Sequence, residues 1–109
     1  MIIQLVKASI KPEQRARWLE VIQRNAVQTR AEEGCTSYHI AEDLEAPNSF
    51  LIVEEWVSFD AVHKHLQHQF GNLMSALDDV FAAPPTASFP QVTSTSTLQE
   101  VLAAAGIDG

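Results

Sequence analysis

The stretch SFLIVEEWV, residues 49–57, decides the fold class. Its β-branched and aromatic residues favour a strand, along which successive side chains point to opposite faces. Alternation gives two sets of side chains, Phe50, Ile52, Glu54 and Trp56 against Leu51, Val53, Glu55 and Val57. Because both sets are largely apolar, the strand belongs to a sheet that is covered on both sides. We expect helices on one face and a second subunit on the other.

Further strands and helices are expected on either side of this strand. In chain order the expected elements are a strand over 2–10, a helix over 13–33, strands over 36–44 and 49–57, a helix from 59 to 81, a strand over 88–95 and a short helix capped by Thr97. Gly34 is expected to end the first helix, and Gly71 to interrupt the second. This order predicts the split βαβ arrangement of an α+β ferredoxin-like fold, an antiparallel sheet with helices on one face.

The length of 109 residues fits one domain that spans residues 1–109. We expect its core over about residues 2–95 and a C-terminal tail over residues 96–109. The sequence leaves open whether this tail packs over a partner subunit or over the mouth of a pocket. A domain of this size buries only part of its apolar surface by itself, so a partner subunit would add stability.

Charge and composition argue against several classes of function. Seven basic and fourteen acidic residues give a net charge of −7, whereas nucleic-acid binding needs a cluster of positive charge. The same charge argues against docking on an anionic membrane surface, and the apolar N-terminus lacks the pattern of a signal peptide. The single cysteine, Cys35, excludes an intrachain disulfide and a site of several thiolates. These features predict a cytoplasmic protein that binds neither nucleic acid nor membrane.

Several short motifs occur in an order that resembles a known family. They are Arg30-Ala31-Glu32-Glu33-Gly34-Cys35, Tyr38, Asp43, Pro47-Asn48, Glu54-Glu55-Trp56, Ala61 and His65-Leu66. Their order and spacing are similar to those of the antibiotic biosynthesis monooxygenase family, over roughly residues 2–93. The chain departs from the family pattern after His65, where the segment Gln67-His68-Gln69-Phe70 is one residue short.

The resemblance implies both a fold and a range of activities. The implied fold is a ferredoxin-like chain whose sheet packs face to face with that of a second copy, in a homodimeric α/β barrel with a pocket in each subunit. Members include oxygenases that act with O2 on quinol-like aromatic substrates and use no metal or flavin. Other members degrade haem, isomerise a small phosphorylated signal or have no known activity. The haem-degrading pattern is not matched, since Leu5 and Val6 stand in the first strand and His65 at the tryptophan position.

Three side chains are the candidate catalytic residues. Oxygenation without a cofactor needs a dry, aromatic-lined pocket, a base and hydrogen-bond donors. His65 is the candidate base, because imidazole titrates near neutral pH; the alternative is a helix histidine that packs and hydrogen-bonds a neighbour. Trp56 could stack on a planar substrate or fill the core. Tyr38 could donate to a quinol oxygen or pack across strands.

Other polar residues receive simpler expectations. Glu54 could be a pocket carboxylate, although a solvated or ion-paired role is the simpler interpretation. His39 is expected on the sheet face opposite Tyr38. His63 and His68 flank the candidate base at spacings that do not converge on one ion, so no metal site is predicted.

The preferred hypothesis is a cofactor-independent monooxygenase that uses O2 on a quinol- or polyphenol-like small aromatic molecule. One alternative is a non-catalytic dimeric barrel that binds a small hydrophobic ligand in a stress-related role. The other is an isomerase of a small metabolite. A pocket filled by side chains would favour the non-catalytic barrel, whereas turnover without oxygen uptake would indicate the isomerase.

Overall fold

The structure, a computed structural model, describes residues 1–108, so residue 109 of the expected tail lies outside the described residues. Four strands form one antiparallel sheet in the order β2-β3-β1-β4, namely β1 (Ile2–Ser9), β2 (Cys35–Glu42), β3 (Ser49–Trp56) and β4 (Thr86–Ser88). The helices are α1 (Arg15–Arg30), α2 (Phe59–Ala76) and the short α3 (Leu98–Ala104). The α+β ferredoxin-like prediction is confirmed, with α1 and α2 on one face of the sheet.

Strand register places the inward-facing residues in rows across the sheet. Tyr38 lies opposite Glu54, which lies opposite Gln4 on the other side, and this row is polar. The next row, Ile40, Ile52 and Val6, is apolar. Since an antiparallel register fixes which side chains are neighbours, the strand pairing itself sets three polar groups side by side beneath the helices.

Helix α1 packs on the sheet with Trp18, Ile22, Ala26 and Thr29 buried at three- and four-residue intervals. It ends at Arg30 rather than at residue 33. Gly34 lies beyond the helix with φ +91°, a left-handed conformation that favours glycine. A Cβ atom at this position would lie 2.6 Å from the Cβ of Ala61. Gly34 is therefore required by the approach of the chain to α2.

Helix α2 begins at a Ser58 cap, whose Oγ accepts from the backbone N–H of Ala61 at 3.2 Å. The predicted interruption at Gly71 is wrong, because the helix runs through this residue. A glycine inside a helix costs only about 1 kcal/mol, which packing can offset. The predicted continuation to residue 81 is also wrong, since α2 ends at Ala76. Leu77 and Val80 are buried in the following turn, which explains their helix-like apolar spacing.

The C-terminal segment differs from prediction in its strand and agrees in its helix. The strand expected over residues 88–95 is displaced to Thr86–Ser88, and Pro90, which has no N–H to donate, lies beyond it. Helix α3 is capped by Thr97, as predicted, and the structure shows a reciprocal capping box between Thr97 and Glu100. Its apolar side chains are largely exposed. None of the helices in residues 1–108 is long and apolar enough to cross a membrane.

Candidate active site

A cavity of about 680 Å³ lies between the sheet and the helices α1 and α2. Its apolar wall includes Ile22, Ile52, Leu73, Leu77 and Phe81. Its polar side chains are Gln4, Asn25, Tyr38, Glu54, His65 and Gln69. A pocket of a few hundred Å³ with an apolar wall and a few convergent polar groups is typical of a small-molecule site. The cavity is open, and it holds the candidate base and one of the other two candidate residues, Tyr38.

His65 is buried on α2, with a fractional exposure of 6%, and it contacts acidic groups on both sides of its ring. Its Nδ1 lies 2.6 Å from Glu32 Oε2, and its Nε2 lies 3.6 Å from Glu54 Oε1. Glu32 also accepts a hydrogen bond from Gln69 Nε2 at 2.6 Å. Because both oxygens of Glu32 act as acceptors, the imidazole hydrogen belongs on Nδ1. In neutral His65 the free lone pair is then on Nε2, the nitrogen on the Glu54 side of the ring.

Glu54 lies on β3 in the middle of the polar row, and it is only 3% exposed. The expected solvated role is wrong, because the side chain is buried. Among residues 1–108 no Lys or Arg pairs with this carboxyl group, and its ion-pair neighbour is His65, at 3.6 Å. Burial raises the pKa of Glu54 from 4.5 to about 7; the Trp56 hydrogen bond opposes this rise and the nearby Glu32 adds to it. Near neutral pH the cavity therefore contains a carboxyl group that is easily protonated.

Tyr38 lines the cavity, but its hydroxyl hydrogen is already used. The hydroxyl donates to Asn25 Oδ1 at 3.1 Å, and Asn25 Nδ2 donates to Gln69 Oε1 at 2.6 Å. Gln69 in turn donates to Glu32. Burial raises the pKa of the Tyr38 phenol. Tyr38 thus offers an oxygen lone pair to a ligand, in contrast with the predicted role of donor to a quinol oxygen.

Trp56 is fully buried and does not line the cavity. Its ring lies 4.7 Å from that of His65, centroid to centroid, and its Nε1 donates to Glu54 Oε1 at 3.2 Å. The structure therefore brings Trp56 beside both acid–base groups but not to the surface of the cavity. It supports the two groups from behind and fills the core, which is the alternative interpretation given above.

The remaining histidines lie away from the cavity. His39 is exposed on the opposite sheet face from Tyr38, as alternation predicts, and His63 and His68 are exposed on α2. Within residues 1–108 no three His, Cys, Asp or Glu side chains are grouped as metal ligands. The two carboxyl groups beside His65 contact opposite nitrogens of its ring, so they do not converge on one point.

Sequence reasoning missed four polar residues of the site, Gln4, Asn25, Glu32 and Gln69. Two of them carry a recognisable signal. Gln4 is a polar residue at an inward position of an apolar strand, and Asn25 lies on the buried face of α1. Buried polar groups need partners, yet Gln4 Oε1 has none among residues 1–108. Glu32 had no such signal, since it lies in the turn after α1, outside the helix and strand patterns.

The family model for antibiotic biosynthesis monooxygenase matches residues 1–70. The chain belongs to this family. An uncharacterized protein of Synechocystis is 30% identical over 90 residues, which are 82% of this chain and 61% of that relative. The chain thus spans less than two thirds of that relative's length. The resemblance inferred from the motifs is confirmed.

Solved structures show the same fold for the family. A candidate antibiotic biosynthesis monooxygenase from Deinococcus radiodurans superposes with a TM-score of 0.83 at 28% identity, over 90% of this chain and 98% of that one. A second candidate, from Nitrosomonas europaea, gives a TM-score of 0.79 at 19% identity over 86% of this chain and 100% of that one. A protein of Mycobacterium tuberculosis gives 0.80 at 18% identity, with coverages of 88% and 98%. At such identities the last two indicate likeness of fold alone.

Proposed function

We propose that this member of the antibiotic biosynthesis monooxygenase family is a cofactor-independent monooxygenase of a quinol- or polyphenol-like aromatic molecule. One observation carries the proposal. His65 is buried beside an open, mainly apolar cavity, and its Nδ1 is held by Glu32 at 2.6 Å. A carboxyl group that binds one imidazole nitrogen orients the ring and fixes which nitrogen carries the hydrogen. Nε2 is therefore arranged to take a proton from a bound phenol.

The reaction balances without an outside reductant. A hydroquinone and O2 give a hydroxyquinone and water, so the substrate supplies all the electrons that reduce O2. His65 takes the hydroxyl proton, and the electron-rich phenolate reacts with O2 to form a carbon–oxygen bond at a ring carbon. His65 then returns its proton to the peroxide. Loss of the ring C–H proton with cleavage of the O–O bond completes the quinone, and the departing hydroxide takes that proton to form water.

The cavity supports this chemistry physically. Its wall is predominantly apolar, which suits planar aromatic rings and excludes water from the reacting anion. Its polar groups are concentrated in the row of Tyr38, Glu54 and Gln4, with His65 near Glu54. An aromatic substrate bound with its hydroxyl at this row would place its proton near Nε2.

Oxygen uptake tests the proposal. Metal-stripped protein is mixed with a panel of hydroquinones and naphthohydroquinols, and O2 consumption above the autoxidation rate is measured. His65→Gln keeps an amide donor for Glu32 but removes the base, so we expect a loss of about 10²–10⁴-fold in rate. His68→Ala, an exposed histidine of the same helix, is the matched control and should keep the activity. Oxygen uptake equal to autoxidation, with tight binding of the same aromatics, would instead identify a binding protein.

We also infer that the protein is a homodimer. The sheet face opposite the helices carries Ile3, Leu5, Leu51 and Val53, which are half-buried or exposed in the single chain. A sheet face with aligned apolar side chains is stabilised by packing on another sheet. A second copy with the same face is the simplest cover for it.

A further inference from the structure

Glu54 is a titratable group of the cavity to which the proposed mechanism gives no role. It is buried, it has no Lys or Arg partner among residues 1–108, its Oε1 lies 3.6 Å from His65 Nε2, and it receives one hydrogen bond, from Trp56. Burying an unpaired carboxylate costs several kcal/mol of folding free energy. A hydrophobic or amide side chain would avoid this cost at the same place in the sheet. The acid therefore calls for a role in the chemistry of the cavity.

The separation of Glu54 and His65 is compatible with one ligand atom that contacts both side chains. The Oε1 of Glu54 lies 3.6 Å from His65 Nε2, which is too long for a hydrogen bond. An oxygen atom about 2.8 Å from both the carboxyl group and the imidazole nitrogen satisfies ordinary hydrogen-bond lengths. Both side chains line the same cavity. A substrate hydroxyl oxygen can thus contact the two groups at once.

We propose that Glu54, in its protonated form, is a second catalytic residue that donates a hydrogen bond to the phenolate oxygen formed when His65 takes the substrate's proton. For the oxidation, this assignment rests on the proposed function. The charge balance supports it. Protonated His65, the phenolate and ionised Glu32 sum to one negative charge, which an ionised Glu54 would double inside a low-dielectric cavity. A neutral carboxyl group instead donates where charge develops.

The groups that face Glu54 from each neighbouring element define how this donor titrates. They are His65 on α2, Glu32 in the turn after α1, and Tyr38 and Cys35 on β2, whereas β1 presents the uncharged Gln4. Since the pKa of Glu54 is raised to about 7, the donor form is present at lower pH and is lost as the pH rises through that value. The affinity for a phenolate should therefore fall as the protonated fraction of Glu54 falls.

Binding of 2,4-dinitrophenolate tests the assignment without turnover. This phenol is fully ionised from pH 5.5 to 8.5, and it is too electron-poor to react with O2. Dissociation constants are measured for the wild type, for Glu54→Gln and for the control Glu55→Gln, which makes the same charge change on the opposite sheet face. Glutamine donates an amide hydrogen at every pH, so it mimics protonated Glu54. 2,4-Dinitroanisole, which carries no anionic oxygen, is the matched neutral ligand.

We expect the wild type and Glu54→Gln to bind the phenolate equally at pH 5.5. Above about pH 7 the wild type should weaken by up to about tenfold per pH unit relative to Glu54→Gln. Glu55→Gln should follow the wild type, and the anisole should show no such divergence. Both proteins retain His65, so the comparison isolates the replacement of the Glu54 carboxyl group by an amide. The same ratio at every pH, or wild-type affinity for the phenolate that does not change with pH, overturns the assignment.

Oxygen uptake and phenolate binding together distinguish failure of the proposed function from failure of the role assigned to Glu54. Divergent phenolate binding with no oxygen uptake would leave Glu54 as an oxyanion donor in a protein that is not an oxygenase. Oxygen uptake with identical phenolate binding by the wild type and Glu54→Gln would support the oxygenase and refute the role of Glu54.

Discussion

Replacing Glu54 with glutamine should stabilise the protein at alkaline pH and leave its stability nearly unchanged at acidic pH. The unfolded chain ionises this carboxyl group near its ordinary pKa of 4.5, but burial raises the pKa in the folded protein to about 7. Between these values the folded state binds one proton more than the unfolded state, so rising pH favours unfolding. Below pH 4.5 both states are protonated and Glu54 adds no penalty; above pH 7 both are ionised and the penalty is complete.

The size of this effect follows from the two pKa values. The difference between 4.5 and about 7, at about 1.4 kcal/mol for each pKa unit, corresponds to about 3 kcal/mol of folding free energy. The amide oxygen introduced by Glu54→Gln can still accept the Trp56 hydrogen bond that Glu54 now receives. The advantage of Glu54→Gln over the wild type should therefore grow by about 2 kcal/mol or more between pH 5 and pH 8.

Urea unfolding of the wild type, Glu54→Gln and Glu55→Gln at pH 5, 6, 7 and 8 measures this difference. The ionisation of groups remote from position 54 is common to the wild type and the variant and cancels in the comparison. Glu55→Gln should show no comparable growth, because Glu55 lies on the opposite face of the sheet. An advantage of Glu54→Gln that is constant from pH 5 to pH 8 would show that the buried carboxyl group titrates near its ordinary value, and the reasoning would be refuted.

Two further predictions concern the open face of the sheet and the hydrogen bond between Tyr38 and Asn25. Light scattering should give about twice the monomer mass of 12.0 kDa. Val53→Asp, on the sheet face opposite the helices, should return the protein to monomer, whereas the control Lys7→Asp, at an exposed position of the same face, should have a smaller effect. A wild-type mass of 12.0 kDa at working concentration would contradict the dimer. Tyr38→Phe removes the hydroxyl that donates to Asn25 Oδ1, and it should lower the free energy of unfolding in urea by about 1 kcal/mol. An unchanged unfolding midpoint would show that this hydrogen bond makes no net contribution to stability.

The sequence predicts the fold well because strand alternation and helix spacing are local patterns. The stretch over residues 49–57 forms β3 (Ser49–Trp56) with the predicted division of faces. The pattern fails to predict the end of α2, because Leu77 and Val80 are buried in a turn but have the apolar spacing of a helix. It also fails at Gly71, where the helix continues through a glycine.

The site is predicted only in part, because its contacts join residues that are distant in the chain. His65 could be singled out by its type and its motif position. Its partner Glu32 precedes it by 33 residues and Gln69 reaches Glu32 from α2, and neither contact has a local signature. The burial of Glu54 depends on the helices above it, so surface charge was the simpler expectation. Tyr38 shows a further limit, since only the structure reveals where its hydrogen is directed.

Gly34 has a consequence for the precision of the site. A methyl group there would lie 2.6 Å from the methyl of Ala61, so only a residue without a side chain allows the backbone before β2 to pack this closely against the first turn of α2. Ala61 lies one helical turn before His65 on the same side of α2. A side chain at position 34 would require the chain or α2 to move apart, and such a movement of α2 would alter the 2.6 Å contact between His65 and Glu32. The absence of a side chain at Gly34 thereby helps to determine the position of the His65 ring.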